Sequence, residues 1–181
     1  SFLLIAHSEL RNRTIMPHET DLFTPLELPN GAVLRNRIVK SAMSDSLGDG
    51  RGNPTEAQTR LYERWAEGGA AVSIIGEVQG DPLFAEKPGN LVLNDASDKD
   101  AFAKLAWRGG SHGAQLWLQL GHAGALTPPE IGTPKGPSPI DLPELRAAEL
   151  TLPEIRALPD QFAKTAMRAE SLGFRGVQIH A

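Results

Sequence analysis

Two side chains stand where this chain could act on a ligand. Gln119, in LWLQLGHAG, carries a donor and an acceptor on one amide, which suits the edge of a heterocycle. The alternative is a buried amide satisfied by neighbouring backbone. His180, in VQIHA, can donate a hydrogen bond to a substrate oxygen and draw electron density from it, bind a metal, or cap a strand. Ser41, Ala42, Met43 and Ser44 form a third candidate. Their small side chains let a planar ligand approach the backbone, and the Ser44 hydroxyl donates or accepts; an ordinary turn is the alternative. His122 lies in a Gly-rich loop and reads as structural, whereas His7, His18 and His112 read as solvated. Asp45, Asp49 and Glu56 match no metal-ligand spacing, so no metal is expected and they read as loop and cap residues.

The elements that carry these residues alternate in type. LELPNGAVL reads as a hairpin turning at Asn30-Gly31, and residues 37–43 (RIVKSAM) as a strand. Asn53 caps a helix with Pro54 at its first position, and Ala57, Leu61 and Trp65 make its apolar stripe. Residues 70–78 (AAVSIIGEV) are a near-continuous apolar run, the mark of a strand buried on both faces. A helix capped by Ser97 precedes the strand 115–120, and a long Pro/Gly-rich loop comes after it. Thr151 and Glu154 form a capping box, Pro159 divides the segment up to Gly173 into a short turn and a helix, and 176–181 is the fourth strand.

A hairpin and then repeated βα units mean an α/β fold with a parallel sheet. A doubly wound dinucleotide fold asks for G-x-G-x-x-G after its first strand, and SAMSDSLGDG is no match. Polar residues cluster instead at each strand's C-terminal end: Ser41–Ser44, Glu77, Gln119 with His122, and His180. Active sites of TIM (β/α)8 barrels form at that edge, so the barrel is favoured.

Composition narrows the function. The 181 residues carry 18 Lys+Arg against 22 Asp+Glu, mixed along the chain, which argues against nucleic acid as a partner. No run approaches the roughly 20 apolar residues of a membrane helix, so no membrane partner is expected. Zero Cys removes thiolate chemistry and suits a reducing, cytoplasmic location. Residues 1–20 lack a clear period and read as a loose leader before a unit spanning 21–181; Asn12 in that leader matches a sequon by pattern. The end at Ala181, directly after an apolar run, is unusual for a complete domain.

The segments DLFTPLELPNGAVLRNRIVKSAM, QTRLYERWAEGGAAVSIIGE, QLWLQLGHAGA, GPSP and GFRGVQIHA, in this order, resemble the old yellow enzyme family. These are FMN-dependent ene-reductases on a TIM barrel that use NADH or NADPH. The resemblance covers Asp21 to Ala181 and only strands one to four of the family's barrel. It implies that Ser41, Ala42, Met43 and Ser44 lie along the flavin, with Ser44 tuning its potential. It implies that the backbone of Val78 meets the ring, that Gln119 bonds the pyrimidine edge, and that His180 is the first of two groups gripping a substrate carbonyl. Ala125 stands where the family usually has Arg, and Ser46 where some branches have Tyr. The groups that hold the FMN phosphate, the second substrate ligand and the usual proton-donating Tyr match nothing up to Ala181.

The expectation is therefore an FMN-dependent NAD(P)H oxidoreductase that reduces the C=C bond of small α,β-unsaturated substrates, with homo-oligomers possible. The alternative is a non-catalytic half barrel that self-associates through open sheet edges. A weaker option is a non-flavin TIM-barrel lyase or aldolase built around His180.

Overall fold

The computed structural model describes residues 3–5 and 21–180. The strands are, in chain order, β1 (Leu3–Ile5), β2 (Leu26–Glu27), β3 (Val33–Leu34) and β4 (Val39–Ser44), then helix α1 (Glu56–Glu67) and β5 (Val72–Gln79). After these come β6 (Leu91–Val92), α2 (Lys99–Gly109), β7 (Gln115–Gly121), β8 (Lys135–Gly136), β9 (Ile140–Leu142), β10 (Leu145–Glu149), α3 (Leu152–Ser171) and β11 (Gly176–Ile179).

The main sheet runs β1-β11-β7-β5-β4, with β6 beside β5, and every pairing is parallel. From β4 to β11 the spatial order matches the chain order. A doubly wound sheet reverses its order at a switch point, and a barrel does not. The fold is a partial (β/α)8 barrel. Of the leader, Leu3–Ile5 pairs with Gly176–Gln178 of β11; Asn12, His7 and His18 lie outside the described residues.

Strand alternation splits the core in two. Ile75, Leu116, Leu118, Leu120 and Val177 face the helices and pack against Tyr62, Phe102, Leu105 and Phe174. Full burial of each such side chain contributes roughly 1.5–3 kcal/mol. Val72, Ile74 and Trp117 face the other way and meet Leu34, Leu26 and Leu28 of the hairpin, which closes the bottom of the barrel. Gly176 is required there, because a Cβ would lie 2.6 Å from the Trp117 ring. The hairpin turns at Gly31, φ +80°, with Asn30 Oδ1 accepting from the Ala32 N–H.

Several local expectations change. The α1 cap is Thr55, whose hydroxyl accepts from Gln58 N–H at 3.2 Å. Asn53 is committed elsewhere: its Oδ1 accepts from Asp98 N–H at the start of α2. The α2 cap is Asp98, because the Ser97 hydroxyl donates to the Val92 carbonyl. The buried side of α1 is Gln58, Thr59, Tyr62 and Ala66, one position off the Ala57-Leu61-Trp65 stripe, with Trp65 only partly covered. Pro159 sits inside one continuous α3, on the face it shares with Phe162 and Ala166, and the packing of those two residues onto the core holds the helix together across it. The long loop after β7 also carries structure, a small sheet in the order β8-β10-β9. Among the described residues no helix is long and apolar enough to cross a membrane.

Candidate active site

The inward-facing residues at the C-terminal ends of β4, β5, β7 and β11 converge on one rim. Gln119 on β7 and Gln178 on β11 are direct cross-strand partners, so their side chains share a level. Gln119 Nε2 donates to Gln178 Oε1 at 2.9 Å. Its other amide atom, Oε1, faces Gly76 of β5: a Cβ there would lie 2.8 Å from Gln119 Oε1, 2.8 Å from Ala42 Cβ and 3.1 Å from Met43 N. Gly76 is buried, and its missing side chain lets the β4 and β7 side chains close over β5.

A register shift between Lys40 and Met43 makes this arrangement possible. Before it, Lys40 points outward, its ammonium 4.3 Å above the Trp65 ring and donating to the Ile74 carbonyl at 3.1 Å. Burial lowers the Lys40 pKa, and Asp45 partly offsets this. Within it, Ala42 packs on the inner cluster. The one extra residue on β4 re-aims the strand. Met43 is 61% exposed, and Ser41 and Ser44 are exposed beside it. The Ser44 hydroxyl donates to Asn90 Oδ1 at 2.9 Å, and the buried Asn90 Nδ2 has no partner among the described residues.

β5 shifts register as well, between Ile75 and Val78. The Val78 side chain is fully buried among the helix-facing core, so only its backbone is available to the rim. Glu77 faces inward. Its Oε1 lies 2.5 Å from Nδ1 of His180, and its Oε2 accepts from Gln79 Nε2 at 3.0 Å. The Glu77 side chain is 15% exposed and that of His180 is 56% exposed. The His180 N–H donates to the Leu120 carbonyl, extending the β7–β11 ladder by one residue and holding the ring at the rim.

The rim thus unites Ala42, Gln119 and His180 with Glu77, which the sequence placed at a strand end without a role, and with two residues it did not name, Gln79 and Gln178. Gln178 had a signal, because it sits two residues before His180 and shares its face. Gln79 had none, since its position depends on the β5 register shift. His122 lies outside this group. It stacks on Phe84 at 4.0 Å, lining a cleft of about 570 Å³ with Leu83, Lys135, Glu154 and Leu158. Burial lowers the His122 pKa, with Asp81 opposing.

Known proteins share both the sequence pattern and this architecture. The sequence model of the NADH:flavin oxidoreductase / NADH oxidase family matches residues 21–181. The chain is 31% identical to an NADH-dependent flavin oxidoreductase of Hypocrea jecorina, over 87% of this chain and 45% of that protein. It is 33% identical to an NADH oxidase of Thermoanaerobacter brockii, over 91% of this chain and 26% of the other. Among solved structures, the old yellow enzyme homologue of Zymomonas mobilis superposes with a TM-score of 0.80 at 25% identity, covering 88% of this chain and 48% of the other. The chain spans about half the length, or less, of these relatives.

Proposed function

Because the chain belongs to the NADH:flavin oxidoreductase / NADH oxidase family, we propose that it supplies the flavin-ring and substrate-carbonyl half of an FMN-dependent ene-reductase. Membership implies FMN as cofactor and NADH or NADPH as reductant. The observation that carries the reading is the convergence of Gln119, Ala42, Glu77 and His180 on one rim, packed closely over Gly76.

The residues present fit a flavin ring. Ser41 and Ala42 present only small side chains, Gln119 offers an amide for a heterocycle edge, and the exposed Ser44 adds a hydroxyl. Ser41, Ala42, Met43, Ser44, the Val78 backbone and Gln119 would hold it. When bound, FMN would accept hydride from NAD(P)H and pass it to an activated alkene. His180 would hold the substrate's carbonyl oxygen through a ring N–H, so that negative charge developing there is stabilised where it forms. The small sheet β8-β10-β9 is carried on the loop that leaves the C-terminal end of β7, and it would limit the access of water to the rim.

FMN titration with visible spectroscopy tests the reading. The expected result is a yellow protein, bleached by NADH or NADPH and recoloured by an enone such as 2-cyclohexenone. Replacing Gln119 by Leu should weaken FMN binding by about tenfold, the worth of one or two hydrogen bonds. A protein left colourless once unbound FMN has been removed by gel filtration rules the proposal out.

A second reading has one observation behind it. Among the described residues, β4 pairs on one side only and exposes Val39 (48%) and Met43 (61%). Such an edge favours self-association. Size-exclusion chromatography decides it, since a monomer at all concentrations excludes this reading.

A further inference from the structure

We propose that Glu77 is the positioning residue for His180, holding the ring through Nδ1 so that Nε2 is the nitrogen that meets the ligand. The proposal rests on the reading of His180 as the substrate-facing group. Four observations carry it. The Glu77 carboxylate is 2.5 Å from Nδ1, on the ring edge turned into the sheet. The carboxylate is itself held, because Gln79, 1% exposed, donates to its other oxygen. Space for it exists only because residue 121 is glycine: a Cβ there would lie 2.6 Å from Glu77 Oε2 and 2.9 Å from Cδ. Finally, the His180 side chain is more than half exposed, so nothing else in the described structure fixes its rotation.

The chemistry depends on which ring nitrogen carries the hydrogen. A carboxylate is an acceptor only, so Nδ1 must carry a hydrogen to bond it. Nε2 is then the free atom. It accepts from a ligand hydroxyl, and with a proton on it, it donates to a carbonyl or oxyanion while the carboxylate faces the resulting positive ring. The ligand recognised is one that presents a single oxygen conjugated to an unsaturated carbon frame. Phenols and enols share that oxygen.

Long-range 15N–1H correlation of the histidine rings in the full chain reads the tautomer directly and needs no flavin. The expected result is Nδ1–H at His180. It should be lost in Glu77→Ala and in Gly121→Ala, which displaces the carboxylate without removing it, and kept in Glu77→Gln, whose amide oxygen still accepts. In the FMN-loaded protein, 4-nitrophenol should bind about tenfold more weakly to Glu77→Ala, with Glu77→Gln restoring most of the affinity. A neutral ring with its hydrogen on Nε2 and none on Nδ1 in the unsubstituted chain overturns the proposal. So does a Glu77→Ala chain with unchanged tautomer and unchanged affinity. Failure to take up FMN removes the flavin reading instead, and the ring measurement still decides the role of Glu77.

Discussion

Tyr62 on α1 donates its hydroxyl to Asp45 Oδ2 across 2.9 Å, and Asp45 directly succeeds the Ser44 that ends β4. The Gln58 amide donates to the same carboxylate at 3.0 Å. A helix in the outer layer thus fixes the loop that carries a rim residue. Burial first, and then Asp45, push the Tyr62 hydroxyl far above its ordinary value, so it remains a donor at every working pH. Tyr62→Phe leaves a carboxylate short of one donor and should cost about 1.5–3 kcal/mol. Urea unfolding reads this as a lower midpoint with unchanged slope, and an unshifted midpoint contradicts it.

Glu63 ties α1 to α2. Its carboxylate accepts from Arg108 Nη2 at 2.5 Å and Arg108 Nε at 3.0 Å, with Arg60 beside it at 2.5 Å. Arg108, then Arg60, hold the Glu63 pKa down to about 2 from 4.5. A depressed carboxyl adds stability above its unfolded value. That contribution should therefore be complete above pH 4.5 and disappear as pH falls toward 2. Urea midpoints across that window should fall with acid less steeply in Glu63→Gln than in the unsubstituted chain.

Gly76 is the close-approach point of the rim. Gly76→Ala places a methyl 2.8 Å from Ala42 Cβ and Gln119 Oε1, with the Met43 amide nitrogen at 3.1 Å. Backbone cannot yield as a flexible side chain does, so the change should cost about 1–3 kcal/mol and break the Gln119–Gln178 hydrogen bond. The thermal midpoint and the chemical shifts of the two side-chain amides should both move. Amide shifts that stay in place would show that the rim has room after all.

Pro159 removes one helical hydrogen bond from the middle of α3. Pro159→Ala should stabilise the chain by up to about 3 kcal/mol, the difference in helix propensity between the two residues. A raised urea midpoint is the expected result. A lowered one would mean that the ring's packing in the apolar groove it shares with Phe162 and Ile179 outweighs the lost hydrogen bond.

The order of elements, the hairpin turn at Asn30-Gly31, the Thr151 capping box and the strand-end placement of Gln119 and His180 were all legible in the sequence. Each depends on residues a few positions apart: alternation, a cap with its partner three residues on, a turn with positive φ. Two caps failed because another backbone group competed for the capping side chain, one of them distant and one nearby. Asn53 could have capped α1, but it serves Asp98, forty-five positions away, and Ser97 is drawn to Val92 instead of capping α2.

The candidate site divides in the same way. The sequence by itself determined which residue types stand at the strand ends, because periodicity and family resemblance need no coordinates. Only the tertiary structure decided which of them meet. Glu77 and His180 are separated by 103 positions, and their contact depends on the β5 register shift and on the absence of a side chain at Gly121. The same holds for Gln119 and Gln178, 59 positions apart and paired through parallel register. Sequence spacing carries local geometry, whereas contacts between strands are set by register and by the space left between packed backbones, which a one-residue shift inverts.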